Sequence, residues 1–288
     1  MNSSLSSRFY LLLTLVTLWC NISIAQQAPK VDCEYIFTQM FNAVKTVKTM
    51  RYNLFGLERI EDKYISGNSL VKLNISPFKT YFKNTDNGIE VLYLDGGDNE
   101  ALINPNGFPY FNVHLDPHGK MMRKNQHHTI YRLGYNYLTS VLYYSLSKYP
   151  DAYKKYITYV GDTTWDGQVC YKIQVNFTDF AYTNYTVTQE GETVTKIAAR
   201  YGLNDYEVLN ANKLSWYDDE LKVGKTIQLP NTYGKTTIMF IRKDLFLPVV
   251  IRVYDTKGLL EAYTYTKLQI NPYISDDEFT ENFSDYHF

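Results

Sequence analysis

The spacing of apolar side chains switches between helical and strand periods along this chain. Over residues 33–49, Ile36, Phe37, Met40, Val44 and Val47 recur at three- and four-residue intervals, which is one face of a helix. Asp32 stands where an N-cap belongs. From Arg51 the period shortens to two. "RYNLFGLERI", "KYISGNSLVKLNI", "FKTYFK" and "IEVLYLD" read as successive antiparallel strands, with turns at Asp86-Asn87-Gly88 and Asp95-Gly96-Gly97-Asp98. "ALINPNGFPYF" continues the series. Over 126–148, Ile130, Leu133, Tyr137, Leu138, Val141, Leu142 and Leu146 restore helical spacing and predict a second helix opened by His127-His128. Strands resume in "KYITYVGDTTWDGQVCYKIQVNF", with a hairpin turn at Asp166-Gly167. "TTIMFIRKDLFLPVVIRVYDTKGLLEAYTYTKLQI" adds three more, turning at Lys243-Asp244 and Thr256-Lys257-Gly258. Two helices among many meandering strands predict an α+β fold: a large curved antiparallel sheet whose concave face needs the helices as a cover.

Composition agrees with that pattern. Of 288 residues, 45% are apolar, and 28 Tyr and 15 Phe suit a half-buried pleated surface. The formal net charge is −1 and no long basic tract occurs, so nucleic acid is not an expected partner. At the N-terminus Arg8 precedes an apolar run from Phe9 to Cys20, and Ser23-Ile24-Ala25 has the small-x-small form of a cleavage site. Residues 1–25 are therefore expected to be a signal peptide cleaved after Ala25. The run is too short to span a bilayer comfortably. No other long apolar run exists, so the mature chain is expected to be exported, in a periplasm or secreted, without a transmembrane segment. Leu18 and Trp19 are not the small residues that a lipid anchor on Cys20 requires, so anchoring is not expected. The mature chain keeps Cys33 and Cys170. Export permits a disulfide between them, worth about 4–5 kcal/mol in the chain-entropy model; two buried thiols are the alternative.

Residues 185–230 form a pattern of their own. "YTVT" is a short strand. Thr193 can cap a helix carrying Val194, Ile197, Ala198 and Tyr201, and Gly202 can stop it. Asn204 to Glu207 has capping-box spacing and opens a second helix with Val208, Leu209 and Ala211. "TIQLP" closes the unit as a strand, giving βααβ. In Tyr185-Thr186-Val187, Gly191-Glu192-Thr193, Ile197-Ala198, Tyr201-Gly202, Leu209-Asn210-Ala211-Asn212, Leu221-Lys222-Val223-Gly224 and Ile227-Gln228-Leu229-Pro230 the stretch closely resembles the LysM family. Its main departure is Glu192, where the family usually has Asp. The resemblance implies binding of N-acetylglucosamine glycans such as peptidoglycan. The implied groove lies between a first loop of Gly191, Glu192, Thr193 and Val194 and a second loop of Asn212, Lys213, Leu214, Ser215 and Trp216. It also implies that the outer strands pair, so both ends of the module leave side by side and can be spliced into a hairpin of a host.

The flanks carry a second resemblance. "SPFKTYFKNTDNGIEVLYLDGGDNEALINPNGFP" is similar to the strand series of LolA-like proteins, and "IRKDLFLPVVIRVYDTKGLLEAYTYTKLQINPYISDDEF" to their C-terminal half. The implied fold is an open antiparallel half-barrel with two covering helices, discontinuous over residues 33–182 and 234–288, with the LysM domain at 184–231 inserted. The resemblance implies a lipid, lipoprotein or protein partner for the half-barrel.

Catalytic signatures are weak. His114 and His118 flank Pro117 and so sit in a turn, which argues against a metal pair; surface or capping roles are expected for these histidines and for His127-His128. Ser145 and Lys148 satisfy Ser-x-x-Lys without its partner motifs. Asp276, Asp277 and Glu278 read as a cap near the C-terminus. No metal or cofactor is expected. The sequence is read as an exported non-enzymatic envelope protein, the alternative being a peptidoglycan-remodelling hydrolase with an unrecognised active site in the barrel.

Overall fold

A computed structural model of the chain describes residues 32–149 and 151–288. The expected signal peptide falls outside the described residues. Asp32 caps α1 (Cys33–Thr46), accepting hydrogen bonds from the backbone N–H of Glu34 and Tyr35. The helix buries Ile36, Phe37, Met40 and Val44, the face expected from their spacing. A meander follows: β1 (Thr49–Ile60), β2 (Lys63–Asn74), β3 (Lys79–Asn84), β4 (Glu90–Leu94), β5 (Ala101–Asn104) and β6 (Val113–Leu115). After α2 (Asn136–Ser147) and the single turn α3 (Ala152–Lys155) come β7 (Ile157–Trp165) and β8 (Gln168–Asn176). The chain then forms β9 (Tyr182–Thr186), α4 (Val194–Tyr201), α5 (Asp205–Ala211) and β10 (Thr226–Pro230). It ends in β11 (Thr236–Arg242), β12 (Pro248–Tyr254), β13 (Leu259–Ile270) and a 3₁₀ turn at Asp276–Phe279.

Eleven strands make one antiparallel sheet in the order β6-β5-β4-β3-β2-β1-β13-β12-β11-β8-β7, while β9 and β10 pair separately. The fold is α+β, an open antiparallel sheet with covering helices. The sheet is drawn together by β1 against β13, in a register that includes Leu57 opposite Ala262 and Glu58 opposite Glu261. Hairpin turns use the residues that tolerate them: Asp166 and Gly167 both have positive φ between β7 and β8. Along β11 the pattern alternates, with Thr237, Met239 and Ile241 buried.

β4 departs from simple alternation because both of its faces are covered. Val91 and Tyr93 pack with Ile103 and Ile130 on one side. Leu92 packs with Tyr81 and Phe279 on the other, under the C-terminal segment. That segment is held by charge and by rings. Tyr286 stacks on Tyr81 at 3.6 Å. Glu278 meets Arg51 at 2.6 Å and Lys72 at 2.7 Å.

Two expectations fail. The second helix does not open at His127. A 3₁₀ turn occupies Ile130–Arg132 and α2 starts only at Asn136. Gly134 stands between them at φ +79°, where a side chain would strike Leu73 at 2.8 Å; the helix cannot run through it. Nor does a disulfide join Cys33 to Cys170. Cys33 begins α1, whereas Cys170 is buried in β8 with its thiol directed to the Gln168 carbonyl at 3.5 Å. Burial pushes that thiol's pKa up.

The Glu278 clamp sets an acid limit. The hydrogen bond from Arg51, aided by Lys72 against the cost of burial, lowers Glu278 from 4.5 to about 2. A depressed carboxyl contributes stability above its unfolded value and loses it as pH falls toward the folded one. Relative to the Glu278→Gln variant, the wild type should be more stable by about 2 kcal/mol at pH 6, a margin that fades between pH 4.5 and 2. Urea melts of both proteins across that range check this; a pH-independent difference would contradict it.

Candidate functional sites: the module groove and the half-barrel cavity

The chain leaves the sheet after β8 and re-enters it at β11, and those two strands pair with each other, Asn176 opposite Thr236 through Cys170 opposite Arg242. Between them β9 and β10 pair antiparallel from Tyr182–Pro230 to Thr186–Thr226. The ends of the βααβ unit therefore emerge together. Its caps are the expected ones. The Thr193 side chain accepts from Lys196 N–H, the Asn204 side chain accepts from Glu207 N–H, and Gly202 ends α4 at φ +62°. Gly202 has a further reason: a Cβ there would meet Tyr144 of α2 at 2.5 Å.

The residues flanking the two loops of the implied groove are linked, Thr195 N–H to Tyr217 C=O at 3.2 Å and, from the first loop itself, Glu192 C=O to Leu221 N–H at 2.8 Å. Several residues of the predicted set point inward. Val194 is core and Thr193 is buried as a cap. Glu192 is 2% exposed. Its carboxylate accepts from Tyr185 Oη at 2.8 Å, Thr188 N–H at 3.2 Å and Arg200 Nη1 at 2.6 Å, so the residue that departs from the family pattern anchors its own loop. Asn212 ties α5 to β10, donating to the carbonyls of Val208 and Gln228 at 2.8 Å each and accepting from Gln228 N–H at 2.7 Å. Gly191 N–H donates to Glu220 Oε1 at 2.7 Å. Lys213 and Ser215 are exposed, Leu214 and Trp216 half-buried. Trp216 lies edge-on to Tyr217 at 5.2 Å, with Lys120 of the barrel 5.6 Å from its ring.

The junction between module and barrel is polar and largely buried. Glu58 and Glu261 face each other across β1 and β13, an unfavourable like-charge pair unless a cation intervenes. His127 supplies it. Its backbone N–H donates to Glu58 Oε2 at 2.8 Å, and its ring nitrogens lie 2.8 Å from Glu261 Oε2 and 3.0 Å from the Arg59 carbonyl. Both contacts are acceptors, so the doubly protonated ring satisfies them best. Burial disfavours the imidazolium, but the Glu261 hydrogen bond and the Glu58 and Glu261 charges outweigh it and raise the His127 pKa. Burial likewise opposes the Glu261 carboxylate, yet His128 and His127 hold it well below the usual range.

The module adds its own carboxylate. Asp205, at the start of α5, is wholly buried between two barrel arginines: Arg132 donates to both oxygens at 2.9 and 2.8 Å, and Arg123 to Oδ2 at 3.0 Å. Against the cost of burial, the Arg132 and Arg123 charges lower its pKa. Around this clamp Asn204 donates to Glu261 at 3.0 Å, Tyr206 stacks on His127 at 4.1 Å, and Arg123 lies 3.5 Å over Tyr217. Lys148 reaches the carbonyls of Tyr201 and Asn231, while Ser145 is buried, so Ser-x-x-Lys forms no nucleophile pair. The expectation of surface or capping histidines is overturned for His127, which is fully buried. His114 and His118 part company. His114 is exposed beside Asp98 and Glu100, and His118 stacks on Tyr131.

Behind the junction lies a cavity of about 740 Å³ between the sheet and residues 121–141. Val71, Phe82, Ile103, Ile130, Val141 and Ile251 give it an apolar wall. One end is polar, formed by Glu58, Glu261, His128, Arg132, Tyr233 and Tyr263. Glu261 accepts from Tyr233 at 2.7 Å, and Tyr263 donates to Glu58. Arg132 donates to His128 Nδ1 at 3.0 Å. Arg132 thus touches both the cavity and the module's Asp205. Sequence reasoning missed this constellation, because single charged residues scattered from Glu58 to Glu261 carry no spacing signal.

The family described as "Protein of unknown function (DUF1571)" matches residues 47–194, and the LysM domain family matches residues 185–230. No curated protein gives a significant match. Among solved structures, the chain is similar to the lipoprotein LppX of Mycobacterium tuberculosis, at 12% identity and TM-score 0.42, over 84% of this chain and 98% of that one. A LolA superfamily protein from Nitrosomonas europaea gives 9% identity and TM-score 0.33, over 88% and 99%. The MucA/MucB complex of Pseudomonas aeruginosa gives 10% identity and TM-score 0.39, over 87% and 61%. The chain spans only 59–62% of the MucB chains it matches.

Two measurements test the junction. Asp205→Ala strands two arginines in a buried site and should cost about 3–5 kcal/mol in urea unfolding. The solvent-screened pair Lys79–Asp276 serves as a control whose loss should cost far less. A cost for Asp205→Ala as small as the control's would disprove the clamp. For His127 the folded pKa is raised from 6.5, so its contribution is complete below that value and disappears as pH rises through the folded pKa. The stability gap between wild type and His127→Gln should therefore be wider at pH 6 than at pH 9.

Proposed function

This chain belongs to the DUF1571 family, and from that premise we propose that it is an exported, non-enzymatic cell-envelope protein that holds peptidoglycan through its LysM domain and an apolar ligand in its half-barrel. The LysM match over a self-paired βααβ unit carries the first half of this reading. The glycan would lie along the exposed part of the groove, with Trp216 against a sugar face and the loop backbone toward the acetamido groups. Glu192, Thr193 and Val194, which are buried, would shape the groove, with Asn212 tying α5 to β10 beside it. A shallow groove buries little area, so single-site binding in the micromolar to millimolar range is expected.

For the half-barrel, a cavity of about 740 Å³ with an apolar wall and one polar end suits an amphiphile such as a lipid or the acyl part of a lipoprotein. Among the described residues no helix is long and apolar enough to cross a membrane.

Excising the module is a poor test, since it would take Asp205 from Arg123 and Arg132 and Asn204 from Glu261. Point substitutions in the groove avoid that difficulty. The wild-type protein should sediment with purified peptidoglycan. Trp216→Ala and Ser215→Trp should weaken that binding by roughly tenfold or more, a loss of about 1.4 kcal/mol, with unfolding unchanged. Equal sedimentation of all three would refute the groove. Clearing of a peptidoglycan gel by the wild type, lost in His128→Ala, would refute the non-enzymatic reading.

A further inference from the structure

The eight residues between β5 and β6, "PNGFPYFN" at 105–112, expose three aromatic side chains almost completely. Phe108 is 86%, Tyr110 88% and Phe111 69% exposed. Aromatic rings this open are costly in water and mark an interaction surface when they cluster. The loop contains no Asp, Glu, Lys or Arg. Its base is fixed. Asn106 N–H donates to Asn104 Oδ1 at 2.8 Å, Asn106 Nδ2 to the Asn87 carbonyl at 2.8 Å, and Asn104 Nδ2 to the His287 carbonyl at 2.6 Å. The tip is organised by Phe108 and Tyr110 packing edge to face at 6.3 Å. A rigid base and an uncharged aromatic tip describe an inserting element whose ordering cost is already met by the fold.

Its position identifies the partner. Asn87, which Asn106 grips, lines the half-barrel cavity, and so does Met121, itself 73% exposed. The loop is thus tied at its base to a residue that lines the cavity, whose lining also includes this open methionine. Phe and Tyr are the side chains that settle at the boundary between hydrocarbon and headgroups, where a ring meets acyl chains and a hydroxyl stays wet. We propose that the 105–112 loop docks the protein on a phospholipid bilayer by inserting Phe108, Tyr110 and Phe111 into the interface, so that an amphiphile passes between leaflet and cavity without crossing water. The transfer half of this statement rests on the cavity reading above; the docking half stands on the loop alone. Because the loop carries no charge, attachment is apolar and resists salt, unlike binding through a basic patch.

The test uses the full mature chain with phosphatidylethanolamine/phosphatidylglycerol vesicles in a flotation assay, at low and high salt. The wild type should float with vesicles in both. The triple variant Phe108→Ser, Tyr110→Ser, Phe111→Ser should lose roughly tenfold or more of that binding while keeping the wild-type thermal transition, since these side chains are already in water. Phe108→Ser alone should give an intermediate loss, which guards against misfolding of the triple variant. A cavity-filling variant, Ile251→Trp, should float normally but carry away less fluorescent phospholipid. Flotation without lipid uptake by the wild type would remove the cavity reading and leave docking intact. Docking is overturned if the wild type fails to float, if the triple variant floats equally well, or if high salt abolishes binding. It is also overturned if sedimentation shows a wild-type dimer that the triple variant dissolves while neither protein binds vesicles; the loop would then be a contact between copies.

Discussion

Buried carboxylates must be matched by buried cations, and here one ten-residue segment supplies most of the matching. Glu58 and Glu261 oppose each other in the sheet, and Asp205 enters from the inserted module. Arg123, His127 and Arg132 answer them from residues 123–132. The cost of leaving any one of these charges alone is far larger than the net value of the pairs. The arrangement therefore acts less as a source of stability than as a specification: module, strap and sheet fit in one relative position. Residues 126–133 forgo the helix that their apolar spacing favours, and Gly134, at φ +79°, separates them from α2.

The strap also joins the two candidate sites. Arg132 and His128 line the polar end of the cavity, while Arg132 grips Asp205 and Arg123 lies over Tyr217, the residue after Trp216. Cavity and groove thus share a wall of directional charge contacts in place of a flexible linker. An inserted domain needs only adjacent ends to be tolerated. This one has adjacent ends and also a face held to the half-barrel by the Asp205–Arg123–Arg132 contacts.

Much of this was legible in the sequence where physics is local. The helix of residues 33–46 follows from its apolar face and its Asp32 cap, and the hairpins from Asp-Gly turns between alternating strands. The LysM pattern fixes its own caps at Thr193, Gly202 and Asn204, and it led to the β8–β11 hairpin as the point of insertion. Site residues fared less evenly. Of the predicted loop residues, Glu192, Thr193 and Val194 are buried, and Asn212 is taken up by hydrogen bonds that tie α5 to β10.

The sequence by itself determined the strands, most helix limits, the insertion and the family resemblance, since periods, caps and turns are written in neighbouring residues. Only the tertiary structure decided the rest: the buried clamp on Asp205, the contacts of His127 with Glu58 and Glu261, the absence of a Cys33–Cys170 disulfide, and the cavity and exposed aromatic loop. Each of these depends on residues brought together from distant parts of the chain, and the energy of a charge or an exposed ring is set by what surrounds it, which no local spacing records.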